Sequence, residues 1–181
     1  EMCIRDRTDL ILAPATPSNT ARAGGVVYPI IKSLAEVNGS RPDDAESRRR
    51  LGSYLSLTSV QVNTITSAMF VTAMAGNPLA VGFAAKQGVE ISWGTWALAA
   101  IVPGLVALAV MPWLMSKIYA PTLKQTPEAP SRAKQELAEL GPMSRGEWIM
   151  LATFILLLVL WVLGTTLHVN ATAAAFLGIA I

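Results

Sequence analysis

An all-α, multi-pass integral membrane fold is predicted by three observations. Just over half of the 181 residues are apolar and only 14% are charged, well short of the charge a soluble domain carries. Residues 91–116 and 148–167 are two long uncharged runs, each meeting the roughly 20 apolar residues needed to cross a hydrocarbon core. Residues 52–85 are also uncharged but rich in hydroxyl and amide side chains, too long for one straight crossing, and interrupted by Gly76-Asn77-Pro78.

The remaining composition excludes several function classes. The net charge of +2 is not gathered into a basic stripe, so no nucleic-acid partner is expected. The single cysteine, Cys3, permits no internal disulfide, and the single histidine, His168, rules out His-rich metal sites. There is no Walker motif, no Gly-rich loop leading out of a strand and no triad arrangement, so no catalytic residue is assigned and the chain is not read as an enzyme. Both ends look cut, and the chain reads as part of a larger transporter-like protein.

In chain order, residues 1–7, EMCIRDR, lack the apolar region of a signal peptide and read as a foreign junction. Residues 8–37 hold a short apolar arm, a tip punctuated by Pro14 and Pro17, and a second arm with Val26, Val27, Ile30, Ile31 and Leu34 at helical spacing. Two arms too short to cross upright suit a re-entrant hairpin. Residues 38–52 form a water-exposed basic loop ending in Arg48, Arg49 and Arg50, read as a topology determinant. Residues 53–90 are a discontinuous helix with an unwound link near 73–78, because proline removes a donor and disfavours helix in the residue before it.

Residues 91–116 span, with Trp93, Trp96 and Trp113 near the ends as an interfacial belt. Residues 117–146 are polar and proline-rich and include SRAKQELAEL, read as a short amphipathic surface helix. Residues 147–168 span again, His168 sitting at an interface, and 169–181 begin a further helix. Lysine and arginine concentrate in 32–50 and 117–145. Two crossings separate these loops, so both fall on one side, which the positive-inside rule makes cytoplasmic.

Two stretches carry chemistry. Ser18, Asn19 and Thr20 place two hydroxyls and an amide at a helix start, where the backbone dipole also favours a carboxylate. The competing reading is plain helix capping, which can coexist with binding. Gly76-Asn77-Pro78 offers carbonyl oxygens and the Asn77 side chain to a hard cation such as sodium, against the competing reading of a proline kink. Arg22 is either a bidentate clamp for a carboxylate or a structural cation, paired with Asp9 or Glu36 or reaching the interface. Gly24-Gly25 suits close approach of another helix.

The blocks LAPATPSNTARAGGVVYPIIKSL, RRLGSYL, SAMFVTAMAGNPLA, ISWGTW, YAPTLKQTPEAP and LGPMSRGEWIMLATFILLLVLWVLG resemble the divalent anion:sodium symporter family over nearly all of 8–181. The likeness is to its citrate/succinate and tartrate/succinate exchanger and 2-oxoglutarate/malate translocator branch. The resemblance implies an elevator-type secondary transporter of di- and tricarboxylates, built from two inverted repeats and dimeric at full length. This chain would hold the first repeat and the start of the second.

It implies that Ser18, Asn19 and Thr20 touch a substrate carboxylate, with Arg22 added as a substrate-binding candidate. It further implies that Ser18 and Asn19, with Gly76 and Asn77 of the link, form a sodium site. Residues 73–78 depart from the glycine-rich loop of the sodium-coupled members, which leaves symport and exchange as alternatives. No cofactor other than a coupling sodium ion is expected; the expected partners are the carboxylate substrate, membrane lipid and a second copy, in a bacterial inner membrane. An ion channel and a non-transporting membrane subunit are the competing classes.

Overall fold

The computed structural model describes residues 2–123, 134, 137–139, 141–167, 169 and 171–180, and among them every regular element is a helix. The chain divides into two compact units, one of 1–91 with 96–126 and one of 92–95 with 127–181.

The first unit begins with α1 (Met2–Leu12), continuous across the expected boundary at residue 8. A turn through Pro14 and Pro17 leads to Ser18, whose extended backbone and side-chain oxygen cap the next helix. That second arm is one helical run in three pieces: α2 (Asn19–Ala21), a π-helical turn (Arg22–Val27) and α3 (Tyr28–Val37). The π turn has a packing reason. Arg22, Val27, Ile31 and Ala35 are buried at spacings of five, four and four, and a wider turn keeps Arg22 in register with a row that an α-helix would rotate away. α3 is followed by Asn38 and then Gly39, with φ of 69°. The Gly39 amide donates to the Glu36 carbonyl and the Ser40 amide to the Ala35 carbonyl, the paired closure that glycine makes possible.

α4 (Gly52–Met69) starts where a Cβ on Gly52 would lie 3.0 Å from the Ser40 hydroxyl and 3.3 Å from Ala35. Val27, Ile31, Leu51, Tyr54 and Leu55 form the core between the second arm and α4, with Met115, Tyr119 and Leu123 packed against it. α4 stops at Phe70, a one-turn 3₁₀ segment covers Val71–Ala73, and α5 runs Gly76–Lys86. The discontinuity is therefore present, but its non-helical residues are Phe70 and Met74, with extended backbone, and Ala75, rather than Gly76-Asn77-Pro78. Pro78 is the third residue of α5, where its missing amide is one that the first turn leaves unbonded in any case.

α6 (Trp93–Ile118) runs antiparallel to α4 along three contacts. The Trp96 indole donates to the Ala68 carbonyl at 2.9 Å, and the Tyr54 hydroxyl to the Pro112 carbonyl at 3.1 Å. A Cβ at Gly104 would lie 2.6 Å from the Met69 sulfur. We expect Gly104→Val to overpack this crossing and cost about 1–3 kcal/mol. Gly82→Val, facing open space, should stay within about 1 kcal/mol; equal unfolding of the two variants in detergent would contradict the crossing. At the far end, the Thr122 and Leu123 amides donate to the Arg49 and Arg50 carbonyls at 3.3 and 3.1 Å. The residues just after α6 thus meet the end of the 38–52 loop at one end of the unit.

In the second unit, Ser144 and Glu147 cap α7 (Arg145–Val162) reciprocally, the Ser144 amide donating to Glu147 at 2.7 Å and the Glu147 amide to the Ser144 hydroxyl at 3.3 Å. The span expected through residue 168 is instead interrupted after Val162, and α8 (Gly164–Leu167) is a separate turn. The Gly164 carbonyl is taken by the Val169 amide at 2.9 Å, folding the chain back there. α9 (Ala171–Ala180) packs on α7, with Gly178 against Leu157. The readings of His168 and of most of the 131–140 surface helix fall outside the described residues.

α6 and α7 are each long and apolar enough to cross a membrane. Only Gly104 in α6 and Trp161 in α7 are buried. Their apolar side chains face outward, the reverse of a soluble core helix.

Candidate functional site

The site is built where the tip of the 2–37 hairpin meets the break between α4 and α5. The tip supplies Ser18 and Thr20, both exposed, and Asn19, half-buried. The Ser18 hydroxyl accepts from the Ala21 amide at 3.2 Å, and the Asn19 side-chain oxygen accepts from the Thr20 amide at 3.0 Å. The expected cap is thus real, and it uses neither the exposed Thr20 side chain nor the Asn19 Nδ2 amide. Asn19 Nδ2 approaches the Met74 sulfur in the break at 4.0 Å, a weak acceptor that a carboxylate would displace at little cost. The Thr72 hydroxyl donates to the Pro14 carbonyl, tying the break to the hairpin turn.

Beneath the tip lies a closed polar network. Arg22 is fully buried and Asp9 is 1% exposed, with Arg22 Nε donating to Asp9 at 2.9 Å. The other four guanidinium N–H groups are also used. Nη1 donates to the Thr16 and Ala73 carbonyls, both at 3.2 Å, and Nη2 to the Thr66 and Ser67 hydroxyls at 3.3 and 2.9 Å. Five donors meet five acceptors. Asp9 also accepts from Asn63 Nδ2 at 3.1 Å and from the Thr66 hydroxyl. A buried ion pair offsets its desolvation only when every remaining proton and lone pair is so placed.

Of the readings open for Arg22, this geometry supplies the structural pair with Asp9. Glu36 is instead exposed and 3.8 Å from Lys32. Arg22 joins four segments at once: α1 through Asp9, the hairpin turn through Thr16, the end of α4 through Thr66 and Ser67, and the break through Ala73.

The four residues expected around sodium are only partly brought together. Asn19 meets Met74, and the Asn77 amide donates to the Met74 carbonyl at 3.2 Å. The buried Asn77 Nδ2 instead donates to the Ser67 and Phe70 carbonyls at 2.7 and 2.8 Å, closing the end of α4. Gly76 and Asn77 open α5, so their carbonyls belong to a helix and not to an unwound link. Four carbonyls around the break, those of Ser67, Ala68, Phe70 and Ala73, are met by side-chain donors from Asn77, Trp96 and Arg22.

Sequence reasoning did not identify Asp9 as the hub, nor Asn63, Thr66 and Ser67 as its shell. The one signal was Arg22 itself, the single charge between residues 10 and 31, where a charge pairs or serves function; Asp9 follows Arg5, Asp6 and Arg7 and does not stand out.

The family described as the sodium:sulfate symporter transmembrane region matches residues 7–181. The chain is 49% identical over 177 residues to dicarboxylate transporter 1, chloroplastic, of Arabidopsis thaliana, covering 96% of this chain and 31% of that protein. It is 47% identical over 168 residues to inner membrane protein YbhI of Escherichia coli, covering 92% and 35%. It is 40% identical over 174 residues to the Escherichia coli citrate/succinate antiporter, covering 96% and 35%. The chain thus spans about a third of the length of the curated relatives it matches.

Proposed function

Since this chain belongs to the family of the sodium:sulfate symporter transmembrane region, we propose that the full-length membrane protein is a secondary carrier of di- and tricarboxylate anions of the succinate, malate, 2-oxoglutarate and citrate class. The observation that carries this reading is the hairpin tip held against a broken helix, with Ser18, Asn19 and Thr20 at its surface. The two hydroxyls and the Asn19 amide donate to one carboxylate of the substrate. Such donors are neutral and exchangeable, and a carrier must release what it binds. Relatives named as a dicarboxylate transporter and a citrate/succinate antiporter support the substrate class.

The hairpin enters from the cytoplasmic side and returns to it, and the second half of the site comes from an inverted repeat beyond these residues. The full-length protein works as an elevator-type homodimer in an inner membrane. Arg22 acts through position, holding the tip and the break in one piece so that the donors converge.

Anion exchange is favoured over sodium symport. A sodium ion at the break needs oxygen ligands, and there Ala73, Thr66 and Ser67 already serve a resident guanidinium. The test is counterflow of labelled succinate, malate, 2-oxoglutarate and citrate in proteoliposomes of the full-length protein, with sodium replaced by choline. Saturable uptake driven by internal dicarboxylate and unchanged in choline is expected. Uptake lost in choline would show symport, with Ser18, Asn19, Gly76 and Asn77 as the ligands to examine. Ohmic, unsaturable flux would reject the carrier reading in favour of a channel.

A further inference from the structure

Three consecutive arginines make three different contacts. Arg49 stacks over the Tyr119 ring, 5.4 Å from its centroid, and its hydrogen bond to the phenol is the main cause that lowers the Tyr119 pKa. Arg50 packs its guanidinium onto the Gly39 turn, 3.0 Å from where a Cβ would stand. Of the three, only Arg48 lines a cavity of about 390 Å³ between α3, the 38–50 loop and the start of α4. Lys32, Glu36, Arg41 and Ser56 line it as well. Lys32 is balanced by Glu36 at 3.8 Å. Asp44 lies near enough to Arg41 to interact with it, but Lys32, Arg41 and Arg48 outnumber the one lining carboxylate, Glu36, so the lining is net positive.

Its other wall is apolar. Tyr28, Ile31 and Leu57 line it, and Leu57 and Val60, one turn further along α4, are 45% and 63% exposed. The cavity lies at the end of the unit where Thr122 and Leu123 meet Arg49 and Arg50, beside Tyr119 just after α6. A charged head and an apolar track at the edge of a membrane-crossing bundle describe an amphiphile.

We propose that this cavity binds the phosphate headgroup of an anionic phospholipid. Arg41 and Arg48 hold the phosphate, Ser56 donates to it, and an acyl chain runs along Tyr28, Leu57 and Val60. The net positive lining favours a net negative lipid over a zwitterionic one. The proposal rests on membrane placement and is independent of which anion is carried.

The test uses the purified full-length protein in detergent, titrated with phosphatidylglycerol, phosphatidylcholine or inorganic phosphate and followed by thermal unfolding and native mass spectrometry. Phosphatidylglycerol is expected to bind and raise Tm, with phosphatidylcholine at least about tenfold weaker. The Arg41→Ala/Arg48→Ala variant should lose that preference, and Lys86→Ala, whose cation lies at the end of α5, should keep it. An equal shift from inorganic phosphate would reject the lipid assignment. Binding that survives in the double arginine variant, or no difference between the two lipids in the wild-type protein, would overturn the site.

Discussion

Arg22→Ala in the full-length protein is expected to reduce carboxylate exchange to background and to destabilise the fold by about 3–5 kcal/mol, because it strands the Asp9 carboxylate in a site closed to water. Arg22→Lys should be nearly as damaging. A lysine offers three donors at one point, whereas the native side chain reaches acceptors on four segments. Combining Arg22→Ala with Asp9→Ala removes both charges, so the pair should be less destabilised than the sum of the singles, with coupling of about 1–3 kcal/mol. Urea or thermal unfolding in detergent reads all three. If Arg22→Ala unfolds like the wild-type protein while exchange is lost, Arg22 touches substrate directly and its positioning role is wrong.

Asn19→Ala should show the opposite balance. The side chain is half-buried, and its Nδ2 faces only the Met74 sulfur, so unfolding should shift by less than about 1 kcal/mol. A hydrogen bond to a charged group is worth about 1.5–3 kcal/mol, which corresponds to a roughly 10- to 100-fold fall in transport efficiency. Most of that fall should appear as a raised KM. Ser18→Ala adds the loss of a helix cap, about 1 kcal/mol, to a similar transport defect. Unchanged uptake in Asn19→Ala would remove the tip from the binding site.

Membrane class was legible because it depends on runs of residue type along the chain. The uncharged lengths that became α6 and α7 need no knowledge of neighbours. The helix start at Ser18 was legible for the same reason, since a cap acts within one turn. The position of the break was misplaced by a few residues. Proline disrupts a helix interior and is harmless in a first turn, and deciding which applied required knowing where α5 begins. At that start the Asn77 side chain reaches back to Ser67 and Phe70, a contact that propensity does not contain.

Composition and pattern determined by themselves that this chain is helical, crosses a membrane and gathers small polar side chains at two points. Only the tertiary structure decided that these points are one place, and that Arg22 is held within the protein rather than offered at its surface. The reason is physical: hydropathy and capping are summed over adjacent residues, whereas a guanidinium is satisfied by whichever acceptors the fold brings within about 3 Å. Asp9, Thr66, Ser67 and Ala73 are separated from Arg22 by 13 to 51 positions in sequence, and nothing in their local pattern announces that they share it.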